Sequence, residues 1–422
     1  MTLSVRTDRK LVRAAARSTR YALVSFEAPV APDKAGRRPV NIALVLDRSG
    51  SMGGEKIRLA REAARQALRT LRPADRFSLV VYDDRIDVVV ESTHATPEAV
   101  RNALARLDAI DARGSTDLGG GWLKGCEQVA AAVRADDTIN RCLLVTDGLA
   151  NVGITDHDQL AHHAGELRAR GVITSTFGIG ADFDENLLRA MADAGGGHFY
   201  FIEKVVQIPD CLTGELGEAL EVVARDAVLR VEVPSGVETE PLNALRHGRT
   251  PQGLEIALGD LVSGQDVEVV VKLKFPMAKA SDTVAARFAV SDRDHVLGDA
   301  WQANIWMYAD HAENDRQERD RVVDRAVARI YSARARAEAL ELNRKGDYER
   351  ARHVLEATRR KILEYAGNDP ELRAIAEELV QEFEVFSAPM SAMSRKMSHA
   401  ASYNVLAMRD MSGKARKRPP QT

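Results

Sequence analysis

Apolar runs alternate with amphipathic helical stretches from residue 40 to residue 202, and a chain with that order is restricted to layered α/β folds. VNIALVLD (40–47) is an unbroken apolar run, the pattern of a strand buried on both faces. A helix starts near Glu55, because Ile57, Ala60, Ala64, Leu68 and Leu71 recur at three and four residues before Pro73 stops it. RFSLVVY and IDVVVE read as an antiparallel hairpin turning at Asp83 and Asp84. A helix over 97–107, a Gly-rich loop RGSTDLGGG and a helix over 122–134 follow. The pattern repeats as CLLVTDG, a helix over 158–169, GVITSTFGIG, a short helix over 184–194, and HFYFI. The expected fold is a doubly wound, mostly parallel sheet with one antiparallel edge. Such sheets bind ligands at the carboxyl ends of their strands.

Oxygen side chains gather where those ends are expected. Asp47 closes the first strand, and in the extended segment after it residues two apart point the same way, so Asp47, Ser49 and Ser51 converge above the sheet. Gly50, Gly53 and Gly54 permit the tight path. Taken alone, a Ser/Asp-rich loop before a helix is ordinarily an N-cap. Two further strand-end loops add Thr116 in GST and Asp147 in LLVTDG. Oxygen ligands of this kind suit a hard cation, Mg²⁺ or Mn²⁺.

LVLDRSGSM, GSTD and LLVTDG, in this order and at strand ends, resemble the von Willebrand factor A (VWA) domain with a complete metal-ion-dependent adhesion site, over residues 39–220. The resemblance implies a Rossmann-like fold and a metal site at Asp47, Ser49, Ser51, Thr116 and Asp147. It also implies that the three hydroxyls bind the ion directly while the aspartates act largely through water. An open coordination position is then filled by an Asp or Glu of a partner protein. Arg48 stands at a position the family leaves variable.

RYALVSFEAP (20–29) reads as a strand before this domain, and AVLRVEVPSGVE, GLEIALGDL, QDVEVVVKLKFP and TVAARFAVSD as strands after it. The expectation is a small β-sandwich, residues 1–38 and 221–310, into which the A domain is inserted. The arrangement resembles bacterial A-domain proteins related to inter-alpha-trypsin inhibitor heavy chains and calcium-activated chloride channel regulators. The H-E-x-x-H protease motif of the latter is absent. Residues 311–411 read as an α-helical region, in which ALELNRKGDYERARHVLEA resembles one tetratricopeptide-type hairpin with Leu340, Gly346, Ala351 and Leu355 in suitable places. Met390, Met393 and Met397 fall on one helical face, read as packing. Residues 412–422 are basic and read as a disordered tail.

A net charge of -3 over 422 residues gives no electrostatic mandate for nucleic acid or membrane. Three cysteines, Cys126, Cys142 and Cys211, make no disulfide framework, and no apolar run approaches 18 residues. Charges at Arg6, Asp8, Arg9, Lys10, Arg13, Arg17 and Arg20 are unlike a signal peptide. The expectation is a cytoplasmic protein without a transmembrane segment. His157, His162 and His163 lack the spacing of a zinc site, Gly119, Gly120 and Gly121 miss a dinucleotide fingerprint, and SGKA lacks the rest of a P-loop. No catalytic set is identifiable, so the chain reads as a metal-dependent protein-binding scaffold or adaptor and not an enzyme. The alternative is a subunit of an AAA+ ATPase chaperone complex, and a metal-dependent hydrolase ranks third.

Overall fold

The computed structural model describes residues 1–31, 37–133, 138–298 and 300–417. The chain forms two compact units, one of Met1–Ala31 with Val223–Thr422 and one of Pro32–Val222. The first opens with strands β1 (Ser4–Thr7), β2 (Leu11–Arg13) and β3 (Ser18–Glu27).

The second unit runs β4 (Val40–Asp47), α1 (Glu55–Thr70), β5 (Arg76–Tyr82), β6 (Ile86–His94), α2 (Pro97–Asp108) and α3 (Leu118–Ala130). It continues with β7 (Ile139–Thr146), α4 (His157–Ala169), β8 (Ile173–Ile179), α5 (Glu185–Gly195), β9 (Gly196–Ile202) and α6 (Ile208–Leu220). The six strands form one sheet in the order β6-β5-β4-β7-β8-β9, parallel except for β6 at the edge. Every residue of β4 and of β7 is buried. Ile42, Leu44 and Leu46 join the apolar stripes of α1, α2 and α6 on one face, each such side chain contributing about 1.5–3 kcal/mol by leaving water. On the other face α3 comes so close that a Cβ at Gly125 would lie 2.2 Å from Val45 Cγ2.

The fold corrects one boundary. The sequence places a Gly-rich loop before a helix over 122–134, whereas α3 starts at Leu118, with the Asp117 side chain accepting from the Gly120 N–H at 2.9 Å. Glycine disfavours helix, but the close approach demands it: a Cβ at Gly121 would lie 2.3 Å from Tyr82 Cγ. Tertiary packing overrides propensity here.

The first unit resumes with β10 (Val222–Glu232), β11 (Glu238–Pro241), β12 (His247–Thr250), β13 (Gly253–Val262), β14 (Asp266–Phe275), β15 (Thr283–Ser291) and β16 (Ala300–Ala309). Two sheets, β1-β3-β14-β11 and β12-β13-β10-β15-β16-β2, enclose a common apolar core that includes Val24, Phe26, Leu229, Val269, Phe288 and Trp306. The helices are α7 (His311–Arg316), α8 (Arg321–Arg344), α9 (Tyr348–Ala366), α10 (Pro370–Phe386) and α11 (Ala392–Leu406). α8 packs Val323, Val327 and Ile330 on Leu23 and Val270, the outward side of β3 and β14. Leu340, Ala351 and Leu355 meet in the α8–α9 hairpin, whose turn passes through Gly346 at φ +77°. Of the three methionines, Met390 is buried but Met397 is 47% exposed. Nor is the tail disordered throughout: Lys417 bridges Gln265, Ala415 bridges Arg409, and Arg416 reaches Glu268 at 2.5 Å. Local pairing outweighs the basic composition there, and residues 418–422 lie outside the described residues.

Candidate metal centre

β4 and β7 are neighbours at which the strand order reverses, so a crevice opens above their carboxyl ends. β4 ends on Asp47, whose two oxygens are both bonded: the Ser49 N–H donates to Oδ1 at 2.7 Å and the Thr146 hydroxyl to Oδ2 at 2.7 Å. The chain then makes a single 3₁₀ turn, Gly50–Met52, pinned by buried Met52. That turn brings the Ser49 and Ser51 hydroxyls to 3.1 Å from each other. Ser51 donates in turn to Asp147 Oδ1 at 2.7 Å, which joins the first loop to the end of β7.

Thr116 arrives on a third loop, which joins α2 to α3 and not, as the sequence suggested, a strand end to a helix, and which is fixed by its backbone. Its N–H donates to Asn151 Oδ1 at 3.1 Å, and its carbonyl accepts from the Asn151 and Val152 N–H groups at 3.3 and 3.2 Å. The Thr116 hydroxyl itself makes no hydrogen bond to another of the described residues. A Cβ built on Gly148 would lie 3.5 Å from Thr116 Oγ1 and 3.6 Å from Ser51 Oγ, so the two hydroxyls border the same small space. The structure therefore brings all five sequence-predicted residues into one crevice.

Two carboxylates, Asp47 and Asp147, are fully buried in this crevice. Burial pushes Asp47 up to about 6, against hydrogen bonds from Ser49 and Thr146 that favour its anion, and the charge of Asp147 adds to the rise. The donor set is three hydroxyls and two carboxylates, hard oxygen throughout and strongly anionic for its depth. Such a set fits a hard divalent cation and suits no soft metal.

Sequence reasoning missed three supporting groups. Thr146 hides inside an apolar strand, and its only signal is a hydroxyl next to Asp147. Lys56, the second residue of α1, forms an ion pair with Asp147 Oδ2. Arg48, from which the sequence drew nothing, donates Nε to Asp83 Oδ2 at 2.9 Å and also contacts Asp87. Arg113 donates to the same Asp83 oxygen at 2.7 Å, and its N–H to the Arg48 carbonyl at 2.7 Å. The loop that carries Thr116 is thereby clamped to the loop that carries Ser49.

Other titratable clusters stand apart. His157 and His162 are exposed on α4, and His157 faces Asp184 at 3.1 Å. His198, Glu215 and Glu218 lie within 4.8 Å of one another. Glu215 already accepts from Ser175 at 2.6 Å and Tyr200 at 2.6 Å, with His198 at 3.1 Å, which makes it a buried clamp between β8, β9 and α6.

The comparisons with known proteins bear on the family and the fold. The family model for the von Willebrand factor type A domain matches residues 41–213. The uncharacterized protein YfbK of Escherichia coli is 29% identical over 65% of this chain and 49% of its own length. Bovine inter-alpha-trypsin inhibitor heavy chain H1 is 26% identical over 55% of this chain and 26% of its own. The chain thus spans about half or less of the curated relatives it matches. Among solved structures, a von Willebrand factor type A protein from Catenulispora acidiphila aligns over 98% of this chain and 97% of its own, with a TM-score of 0.69 at 16% identity. The VWA2 paralog of ArnB from Sulfolobus acidocaldarius aligns over 92% and 99%, with a TM-score of 0.55 at 17% identity. These two show a shared fold. Domains of this family mediate protein interactions in many relatives and often bind a divalent metal, and residues 41–213 of this chain are a von Willebrand factor type A domain.

Proposed function

We propose that the crevice is a metal-dependent adhesion site, and that the chain is an interaction module which binds a partner protein through the partner's Asp or Glu. The observation that carries this reading is the meeting of Ser51, Thr116 and Asp147, from three separate loops, around one small space beside Gly148. Asp47, Ser49, Ser51, Thr116 and Asp147 would hold Mg²⁺ or Mn²⁺. When bound, the ion supplies an electrophilic centre for an anionic oxygen. The three hydroxyls bring no charge to the ion, and Asp47 and Asp147 hold the set in place from buried positions and supply its negative charge. The clamp through Arg48, Asp83 and Arg113 keeps the loops in register before any ligand arrives.

Binding of the ion to the native state raises its stability by mass action. Mg²⁺ is therefore expected to raise the melting temperature of the wild type, and Asp47→Ala to abolish the rise. Thr116→Ala removes a neutral ligand without deleting a charge, so it should weaken partner capture more than folding. Capture from native extract with and without chelator, wild type against Thr116→Ala, checks the partner half of the reading. Recovery of the same proteins under all conditions would place the interaction elsewhere.

A further inference from the structure

Lys56 is a charged group at the crevice that the five-residue set does not include. It sits in the first turn of α1, its side chain is 26% exposed, and its ammonium pairs with an Asp147 carboxylate that is completely buried. Asp147 is thus held from two sides, by the Ser51 hydroxyl on Oδ1 and by Lys56 on Oδ2. Its neighbour Glu55 points away to solvent and faces Arg58. The crevice therefore contains two buried carboxylates and one tethered cation.

From this arrangement we infer that Lys56 sets the charge of the centre, weakening its hold on the metal and strengthening its hold on an anionic partner. The inference rests on the metal reading above. Two carboxylates alone would neutralise a divalent ion, and the loaded crevice would offer an incoming carboxylate little net attraction. With the ammonium of Lys56 in place, the loaded crevice keeps one positive charge in excess. The same ammonium repels the divalent ion, so one side chain trades affinity for metal against affinity for anion. It also satisfies Asp147 while no ion is bound, since a buried carboxylate without a counter-charge is costly.

The test measures the apparent Mg²⁺ dissociation constant of the full chain by calorimetry, in chloride and in acetate, with acetate as the carboxylate probe. Variants are Lys56→Gln, which keeps a donor without the charge, Lys56→Met as a second neutral form, and Lys56→Arg. Removal of a unit charge a few ångströms away is expected to tighten Mg²⁺ binding about five- to tenfold in both neutral variants. Lys56→Arg should bind as the wild type does. Acetate should tighten Mg²⁺ binding in the wild type, by linkage between the two ligands, and this effect should shrink in the neutral variants. Unchanged or weaker Mg²⁺ binding in folded Lys56→Gln and Lys56→Met, with the wild type responding normally, overturns the role of Lys56 while leaving the metal site standing. No response to Mg²⁺ in folded wild type removes both.

Discussion

Asp47 shows how burial converts one carboxyl into a pH-dependent element. In the metal-free protein its value lies at about 6, against 3.8 for an unperturbed Asp. A raised folded value means that the stability tied to the protonated form is present below about pH 3.8 and is lost as pH rises through about 6. The melting temperature of metal-free protein is therefore expected to carry a falling component across that window, and Mg²⁺ to restore more stability at pH 7 than at pH 5. Melting curves of wild type and Asp47→Asn over that range check this, since the Asn variant should lack the component. Asp75 has the opposite sign. Burial alone would raise it, but hydrogen bonds from Arg37 and from the Arg72 and Val40 N–H groups hold it below the usual range. Its contribution is present above pH 3.8 and is lost as pH falls through its lowered value. Asp75→Ala leaves Arg37 without its buried partner and should cost about 3–5 kcal/mol in urea unfolding.

α3 and β4 meet through a glycine, and that contact is testable by itself. Gly125→Ala places a methyl 2.2 Å from Val45 Cγ2, an overpacking expected to cost about 1–3 kcal/mol. Val45→Ala in the same chain should recover part of that loss, and additive costs in the double variant would show that the close approach is relaxed elsewhere. The same helix marks a limit of sequence reading. Gly119, Gly120 and Gly121 look like a loop because propensity is local, while the reason for them is close packing, against Ile154 and Leu160 at Gly119, Asp117 and Ile86 at Gly120, and Tyr82 on β5 at Gly121. Of the five candidate residues, Asp47, Ser49, Ser51 and Asp147 were legible because each lies at or just beyond the end of β4 or β7, whereas Thr116, on the loop between α2 and α3, was legible only from the GSTD motif. Lys56 was not, because its approach to Asp147 depends on how α1 is set against β7. Arg48 was not, because its meaning lies in Asp83 and Asp87, on the β5–β6 hairpin. Order along the chain revealed the strands, whereas side-chain pairs between elements needed the structure.

The first unit is assembled from two stretches of chain separated by the entire second unit, and β3 is the piece that joins them. It pairs with β14 over ten residues, from Ser18 with Phe275 to Glu27 with Asp266, and with β1 on its other edge. One side of β3 supplies Ala22, Val24 and Phe26 to the core between the sheets, and Leu23 on the other side receives α8. Removal of residues 1–31 deletes β1, β2 and β3 together. It strips β14 of its partner along its full length, an unpaired apolar edge of the kind that aggregates. The second unit has its own apolar core and draws no strand from this stretch. The truncated chain is therefore expected to aggregate or to be cleaved readily within 223–417, while limited proteolysis leaves a resistant fragment spanning about 37–222 that keeps its melting-temperature response to Mg²⁺. If the truncated chain instead stays soluble and resists protease throughout, then β3 is dispensable and the first unit holds without its N-terminal strands. If the fragment is digested together with the rest, the second unit depends on the first for its stability.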